Sequence, residues 1–154
     1  MIPKPLALDE IVTSSMADMK VMAERKNINM MTDVPAGLIV MGDRDRLTEV
    51  FLNLLDNAIK FTPTGGGISI KAWEEDRSVH VTVSDTGIGI PENVIPLLFQ
   101  RFYQADASIT RKYGGTGLGL YICKNIIDAH QGEIWIESKE GSGTTVHLRL
   151  QRSI

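Results

Sequence analysis

Cysteine is nearly missing from this sequence: its 154 residues include one, Cys123. An intrachain disulfide is therefore excluded, and a reducing compartment is favoured. Long apolar runs are missing too. None approaches the ~18 residues of a membrane-spanning helix, and the opening MIPKPLALDE lacks the apolar core of a signal peptide. Positive charge is not in surplus either. The 16 Lys and Arg against 19 Asp and Glu give a net charge of −3 and a pI near 5.6, with no global basic field for nucleic acid. No internal repeat or low-complexity tract interrupts the chain. These absences leave a soluble, cytoplasmic unit. With 43% hydrophobic and 23% charged residues, it suits one domain over 1–154 with a core of its own.

What is present is ordered punctuation. Residues 1–7 are a proline-containing lead-in. Leu8 to Lys26 carries helical spacing, with Asp9 and Glu10 in its first turn. Short strands are expected at Ile28–Val34 and Leu38–Met41. Asp43 to Phe61 is the strongest helix, stopped by Thr62-Pro63-Thr64-Gly65-Gly66-Gly67. Ile68, Ile70, Ala72 and then Val79, Val81, Val83 alternate with polar or exposed neighbours, as in half-buried strands joined through Glu75-Asp76-Arg77. An irregular stretch of about 86 to 115 follows, with at most a short helix near Glu92–Phe99. A helix over Gly117–Gln131 and strands at Glu133–Ser138 and Thr144–Leu150 complete the chain. The pairing of strands between helices predicts an α+β two-layer sandwich: a mixed, mainly antiparallel sheet of about five strands with three helices on one face. Such a long irregular stretch inside a compact domain suggests a lid or a disordered segment.

Four glycines fall within the six residues from Gly114 to Gly119, just before a helix. The spacing fails the dinucleotide fingerprint, because its third glycine falls on Leu120. It also lacks the Gly-Lys-Ser/Thr of a P-loop and the partner motifs of a eukaryotic-type kinase. Bare backbone at a helix start still favours an anion; a plain helix-entry turn is the alternative.

Glu49, Asn53, Asn57 and Lys60, spaced 4, 4 and 3, share one helix face, while Leu47, Phe51, Leu54 and Ala58 share the other. Asparagine is a poor helix former. Two on one stripe suit oxygen ligation of Mg²⁺, with Lys60 meeting phosphate; a solvated polar face is the plain alternative. Asp85 ends an alternating strand, ahead of Gly87 and Gly89. It is either a turn former or an acceptor for the exocyclic amine of adenine, with the glycines admitting a flat base.

Together these segments resemble the ATP-binding catalytic domain of sensor histidine kinases, in the Bergerat-fold group that also holds type II topoisomerases, a heat-shock chaperone and mismatch-repair ATPases. Asn53-Leu54-Leu55-Asp56-Asn57-Ala58-Ile59-Lys60-Phe61 looks like the N box. Asp85-Thr86-Gly87-Ile88-Gly89-Ile90 looks like the first glycine box. Leu98-Phe99-Gln100-Arg101-Phe102-Tyr103 looks like the F box. Gly115-Thr116-Gly117-Leu118-Gly119-Leu120 looks like the second glycine box and Gly141-Ser142-Gly143-Thr144 like the last. The shared order of these boxes covers nearly the whole chain.

The resemblance implies roles. Asn57 ligates Mg²⁺ with help from Asn53, and Lys60 contacts phosphate. Phe61 flanks adenine, and Asp85 reads its amine. Gly87, Ile88, Gly89 and Ile90 line the base pocket, as does Thr144. Gly115, Thr116, Gly117, Leu118, Gly119 and Leu120 face the phosphates. Residues 91–116, approximately, become an ATP lid anchored by Phe99 and Phe102, and Arg101, Arg111 and Lys112 meet phosphate or the partner domain. Relatives that hydrolyse ATP carry glutamate where this chain has Asn53, and an amide cannot serve as that base.

His80, His130 and His147 are the only histidines, and none sits in the family's phosphoacceptor motif. His80 and His147 lie on strands; His130 closes a helix, where a cation suits the dipole. All three are expected to be structural. The expected acceptor is therefore a dimerisation domain outside this stretch. The implied partners are that domain and, through it, a response regulator, with no nucleic acid. This piece is expected to be monomeric, and the full protein a homodimer, cytoplasmic or the cytoplasmic part of a membrane-anchored kinase. Two rivals share the motifs: a serine kinase of the anti-sigma-factor type, and a non-catalytic module that binds partners through its lid.

Overall fold

The computed structural model of the chain describes residues 1–100 and 119–153. The elements run β1 (Lys4–Ala7), α1 (Leu8–Arg25), β2 (Asn29–Asp33), β3 (Ile39–Gly42), α2 (Arg44–Phe61), β4 (Gly67–Glu75), β5 (Ser78–Asp85), α3 (Gly119–Ala129), β6 (Glu133–Ser138) and β7 (Thr144–Gln151), with a short 3₁₀ turn at Ile95–Leu97 after β5. The five-stranded sheet has the order β2-β4-β5-β7-β6. Its β2–β4 pair is parallel and the rest are antiparallel. The three helices cover one face, so the α+β sandwich expected from the pattern is the observed fold.

The register explains the two faces. Ile70, Val83, Val146 and Ile136 are cross-strand neighbours, as are Ala72, Val81, Leu148 and Ile134. These rows turn toward the helices. There they meet Leu47, Phe51, Leu54 and Ala58 of α2, all nearly or fully buried. A buried phenylalanine such as Phe51 is worth about 3–5 kcal/mol against alanine. Asp43 caps α2, its carboxylate accepting the Arg46 N–H at 3.0 Å. At the other end the Lys26 ammonium donates to the Ile59 carbonyl at 2.7 Å, supplying a cation where the helix dipole is negative.

The opposite face of the sheet carries a ladder of rings. Trp73 stacks on His80 with centroids 4.5 Å apart, and Trp135 stacks on His147 at 5.0 Å. His80 Nδ1 lies 2.8 Å from Glu75 Oε2, and its Nε2 lies 2.9 Å from His147 Nδ1. His147 Nε2 is 3.2 Å from Glu137 Oε1 but out of line for a hydrogen bond. Burial holds the His147 imidazole below the ordinary histidine value, against the pull of Glu137. The hydrogen bond from His80 holds Glu75 below the usual carboxylate range.

Two expectations need correction. Residues 4–7 are not a lead-in but a strand, paired antiparallel with β3 in a separate two-stranded sheet. The partner lies some 35 positions on, so no local pattern shows it. His130 is structural, as expected, but not as a helix-end cation. Its Nε2 accepts the Asp43 N–H at 3.0 Å, so Nδ1 carries the proton and donates to the Ile126 carbonyl at 2.7 Å. That geometry is the neutral ring, a cross-link between the end of α3 and the start of α2.

Candidate functional site

The two asparagines of the α2 stripe are half-buried, while Glu49 and Lys60 at its ends keep 45% and 36% of their side chains exposed. The stripe runs along the seam with α3. Asn53 is within hydrogen-bond reach of Cys123, whose thiol burial pushes up to about 12. One turn on, Asn57 meets the first residue of α3: a Cβ built on Gly119 would stand 3.5 Å from Asn57 Nδ2. Lys60, at the last turn, is 3.0 Å from Asp56 Oδ2, an i,i+4 pair that holds its ammonium beside the stripe.

Asn57 and Asp85 open onto the same hollow. From α2 it is lined by Leu54, Asn57, Ala58 and Phe61, and from the sheet by Val83, Asp85, Ile136, Thr144 and Val146. Ile90 and Leu120 close its sides. The lining is apolar with a few convergent polar groups, the composition of a small-molecule site, while the hollow itself is narrow, about 30 Å³. Asp85 stands at the end of β5, directly across from Thr144. Its Oδ1 accepts the N–H groups of Gly87 at 2.8 Å and Thr144 at 3.3 Å. Burial raises the Asp85 pKa above the ordinary value, and these two bonds oppose that rise.

The glycines after Asp85 have a structural reason that the sequence does not display. A Cβ on Gly87 would stand 2.4 Å from the Phe61 carbonyl oxygen, and one on Gly89, at φ +73°, would stand 2.0 Å from that of Lys139. Backbone thus passes backbone here. Ile88 bridges the two crossings: its N–H donates to Phe61 O at 3.2 Å and its carbonyl accepts the Gly141 N–H at 2.6 Å. Gly143, at φ +83°, makes a third crossing, 2.2 Å from the Asp85 carbonyl oxygen by the same construction. The loop that ends β5 is therefore locked between the end of α2 and the β6–β7 turn.

Phe99 packs against the core at one end of the expected lid. Arg101, Phe102, Arg111, Lys112, Gly115, Thr116, Gly117 and Leu118 lie outside the described residues. Sequence reasoning missed Ser138. Its hydroxyl ties Ile90 to the Gly143–Thr144 turn, and only the register of β6 on β7 brings it there.

Residues 42–154 match the family model described as histidine kinase-, DNA gyrase B-, and HSP90-like ATPase. The chain belongs to that family. It is 44% identical over 146 residues to the methyl sulfide methyltransferase-associated sensor of Methanosarcina acetivorans, covering 94% of this chain and 15% of that protein. To the sensor histidine kinase WalK of Bacillus subtilis it is 42% identical over 132 residues, covering 84% of this chain and 22% of that one. Among solved structures, the catalytic domain of histidine kinase ThkA superposes with a TM-score of 0.87 at 30% identity, covering 99% of this chain and 97% of that one. The chain thus matches a catalytic domain in full, and under a quarter of the length of either sensor protein. Among the described residues no helix is long and apolar enough to cross a membrane.

Proposed function

We propose that this chain is the ATP-binding catalytic domain of a sensor histidine kinase, holding MgATP for transfer of the γ-phosphoryl group to a histidine on a separate dimerisation domain. The observation that carries this reading is the convergence of Asn57, from the helical layer, and Asp85, from the sheet, on one hollow. An adenine entering between Phe61 and the sheet residues Val83, Ile136 and Val146 buries its faces against apolar side chains. Asp85 Oδ2, with no protein hydrogen bond among the described residues, then accepts its amine.

The residues fit Mg²⁺ in a particular way. Among the described residues no group of three or more His, Cys, Asp or Glu is gathered to hold a metal unaided. Mg²⁺ prefers few protein oxygens plus substrate phosphates and water. The Asn57 amide, beside the bare start of α3, supplies such an oxygen, and Asn53 stands one turn behind it. Held there, Mg²⁺ would supply positive charge to offset that of the phosphates. Lys60 does the same from its place beside Asp56, and Arg101 and Lys112 are the further cations assigned to this task. The chemistry asked of the chain is positioning and electrostatics.

The acceptor lies elsewhere because the three histidines are fastened. His80 and His130 are buried, at 7% and 4% exposure, with both ring nitrogens of each engaged. His147 is bonded through Nδ1 to His80. The partners are the dimerisation domain of the same kinase and, beyond it, a response regulator; the whole protein acts as a homodimer with this domain in the cytoplasm.

Calorimetric titration with ATP, ADP and GTP, with and without Mg²⁺, tests the reading. ATP and ADP are expected to bind in preference to GTP, and Mg²⁺ to tighten ATP. Asn57→Ala should remove the Mg²⁺ gain and leave a cooperative melt. Equal affinity for ATP and GTP in the folded wild type would overturn the assignment.

A further inference from the structure

Ser138 ends β6 in a cross-strand row with Thr144 and Asp85. Three groups surround its hydroxyl oxygen at 2.8 Å each: the N–H of Ile90, the carbonyl of Gly143 and the hydroxyl of Thr144. A serine hydroxyl has one proton and two lone pairs. An N–H only donates and a carbonyl only accepts, so the Ser138 proton goes to Gly143 and one lone pair takes Ile90. The remaining lone pair receives the proton of Thr144. Thr144, which lines the hollow, therefore has only lone pairs left to offer on Oγ1. Across from it, Asp85 has committed Oδ1 to the N–H groups of Gly87 and Thr144 and offers Oδ2, another acceptor.

We propose that Ser138 is a specificity-determining positioning residue: by taking the Thr144 proton it makes the Asp85–Thr144 pair an all-acceptor edge, which takes a 6-amino purine and rejects a 6-oxo purine. This rests on the reading of the hollow as a nucleotide site. An exocyclic amine brings two N–H donors to two acceptors. A 6-oxo group brings a carbonyl oxygen, which both acceptors repel and which neither can bond; the proton that a 6-oxo purine carries on N1 can satisfy only one of the two. Without Ser138 the Thr144 hydroxyl is free to turn and donate to that carbonyl. Asp85 alone then discriminates.

The test compares ATP with ITP, which differ at purine position 6 and in the proton that ITP carries on N1, by titration calorimetry on this chain. Wild type should favour ATP. Ser138→Ala should lower the ATP-to-ITP affinity ratio about tenfold, the net worth of one hydrogen bond, chiefly by improving ITP. Ser138→Cys, a poor acceptor of similar size, should do the same, and Ser138→Thr should keep the wild-type ratio. In a Thr144→Val background Ser138→Ala should leave the ratio unchanged, which a merely structural role would not produce. A cooperatively melting Ser138→Ala or Ser138→Cys with the wild-type ratio would overturn the role of Ser138 while leaving the site intact. A wild type with no ATP preference would overturn the nucleotide reading itself.

Discussion

The Asp85 carboxylate accepts the backbone N–H of Thr144, its cross-strand partner, through the same oxygen that holds Gly87. Because burial raises the Asp85 pKa, folding favours its acid form. The stability this contributes is full below the unfolded value, ~3.9, and is lost as pH rises through the higher folded value. At neutral pH the charge is a liability to the empty fold. Asp85→Asn keeps an oxygen for both N–H groups and removes the charge. It is expected to melt higher than wild type at pH 7 without nucleotide, with the gap closing toward pH 4, and to bind ATP more weakly. Paired melts across pH and one ATP titration check both halves; a lower Tm at pH 7 contradicts the first.

The ring ladder on the open sheet face predicts an acid limb. His147, held below the ordinary histidine value mainly by burial, resists protonation in the fold. The stability it contributes is present above the unfolded value, ~6.5, and is lost as pH falls through the lower folded value. Glu137 opposes this shift, while His80 and Arg149 act with burial to depress it. Urea midpoints should fall between pH 7.5 and 5.5, and His147→Gln should flatten that limb. Glu75, depressed by His80, acts further down, below ~4.3, so its loss is separable in the same series. An unchanged slope in His147→Gln would exclude the ring as its source.

Gly141 and Gly143 share a left-handed backbone, at φ +84° and +83°, and differ in surroundings. Nothing lies within 4 Å of a Cβ on Gly141, whereas the Asp85 carbonyl is 2.2 Å from one on Gly143. Alanine at 141 should cost about 1–2 kcal/mol, the left-handed penalty. Alanine at 143 should cost about 3 kcal/mol or more, since Asp85 or the turn must also shift. At ~2–4 °C per kcal/mol, differential scanning calorimetry separates them, and only the Gly143 variant should also lose ATP. Equal losses would mean that the crossing is soft.

Local pattern carried much of this architecture. The helical period placed α1 and α2 within a residue or so and sorted both faces of α2, because Leu47, Phe51, Leu54 and Ala58 answer to a single buried stripe. Alternation placed β4 and β5 for the same reason. What escaped depends on residues far apart in the chain. Strand β1 is defined by β3, the order of the sheet by crossovers, and Ser138 by the register of β6 on β7. The glycines after Asp85 suggest room for a base; that a Cβ on Gly87 or Gly89 would also meet backbone from Phe61 or Lys139 depends on segments far away in the chain. His130 reads as structural from its context, but which way its ring is protonated depends on the N–H of Asp43, 87 positions earlier.

The antiparallel pairing of β1 with β3, and the bridge from Val40 to Arg152 beyond β7, fasten early and late segments of the chain to one short strand. Asp85, Thr144 and Ser138 sit at the other extremity of β5, β7 and β6. The fastening of residues 4–7 and of residue 152 to β3 therefore lies at the end of the sheet remote from the hollow, so disturbing that clasp leaves the Asp85–Thr144–Ser138 row untouched.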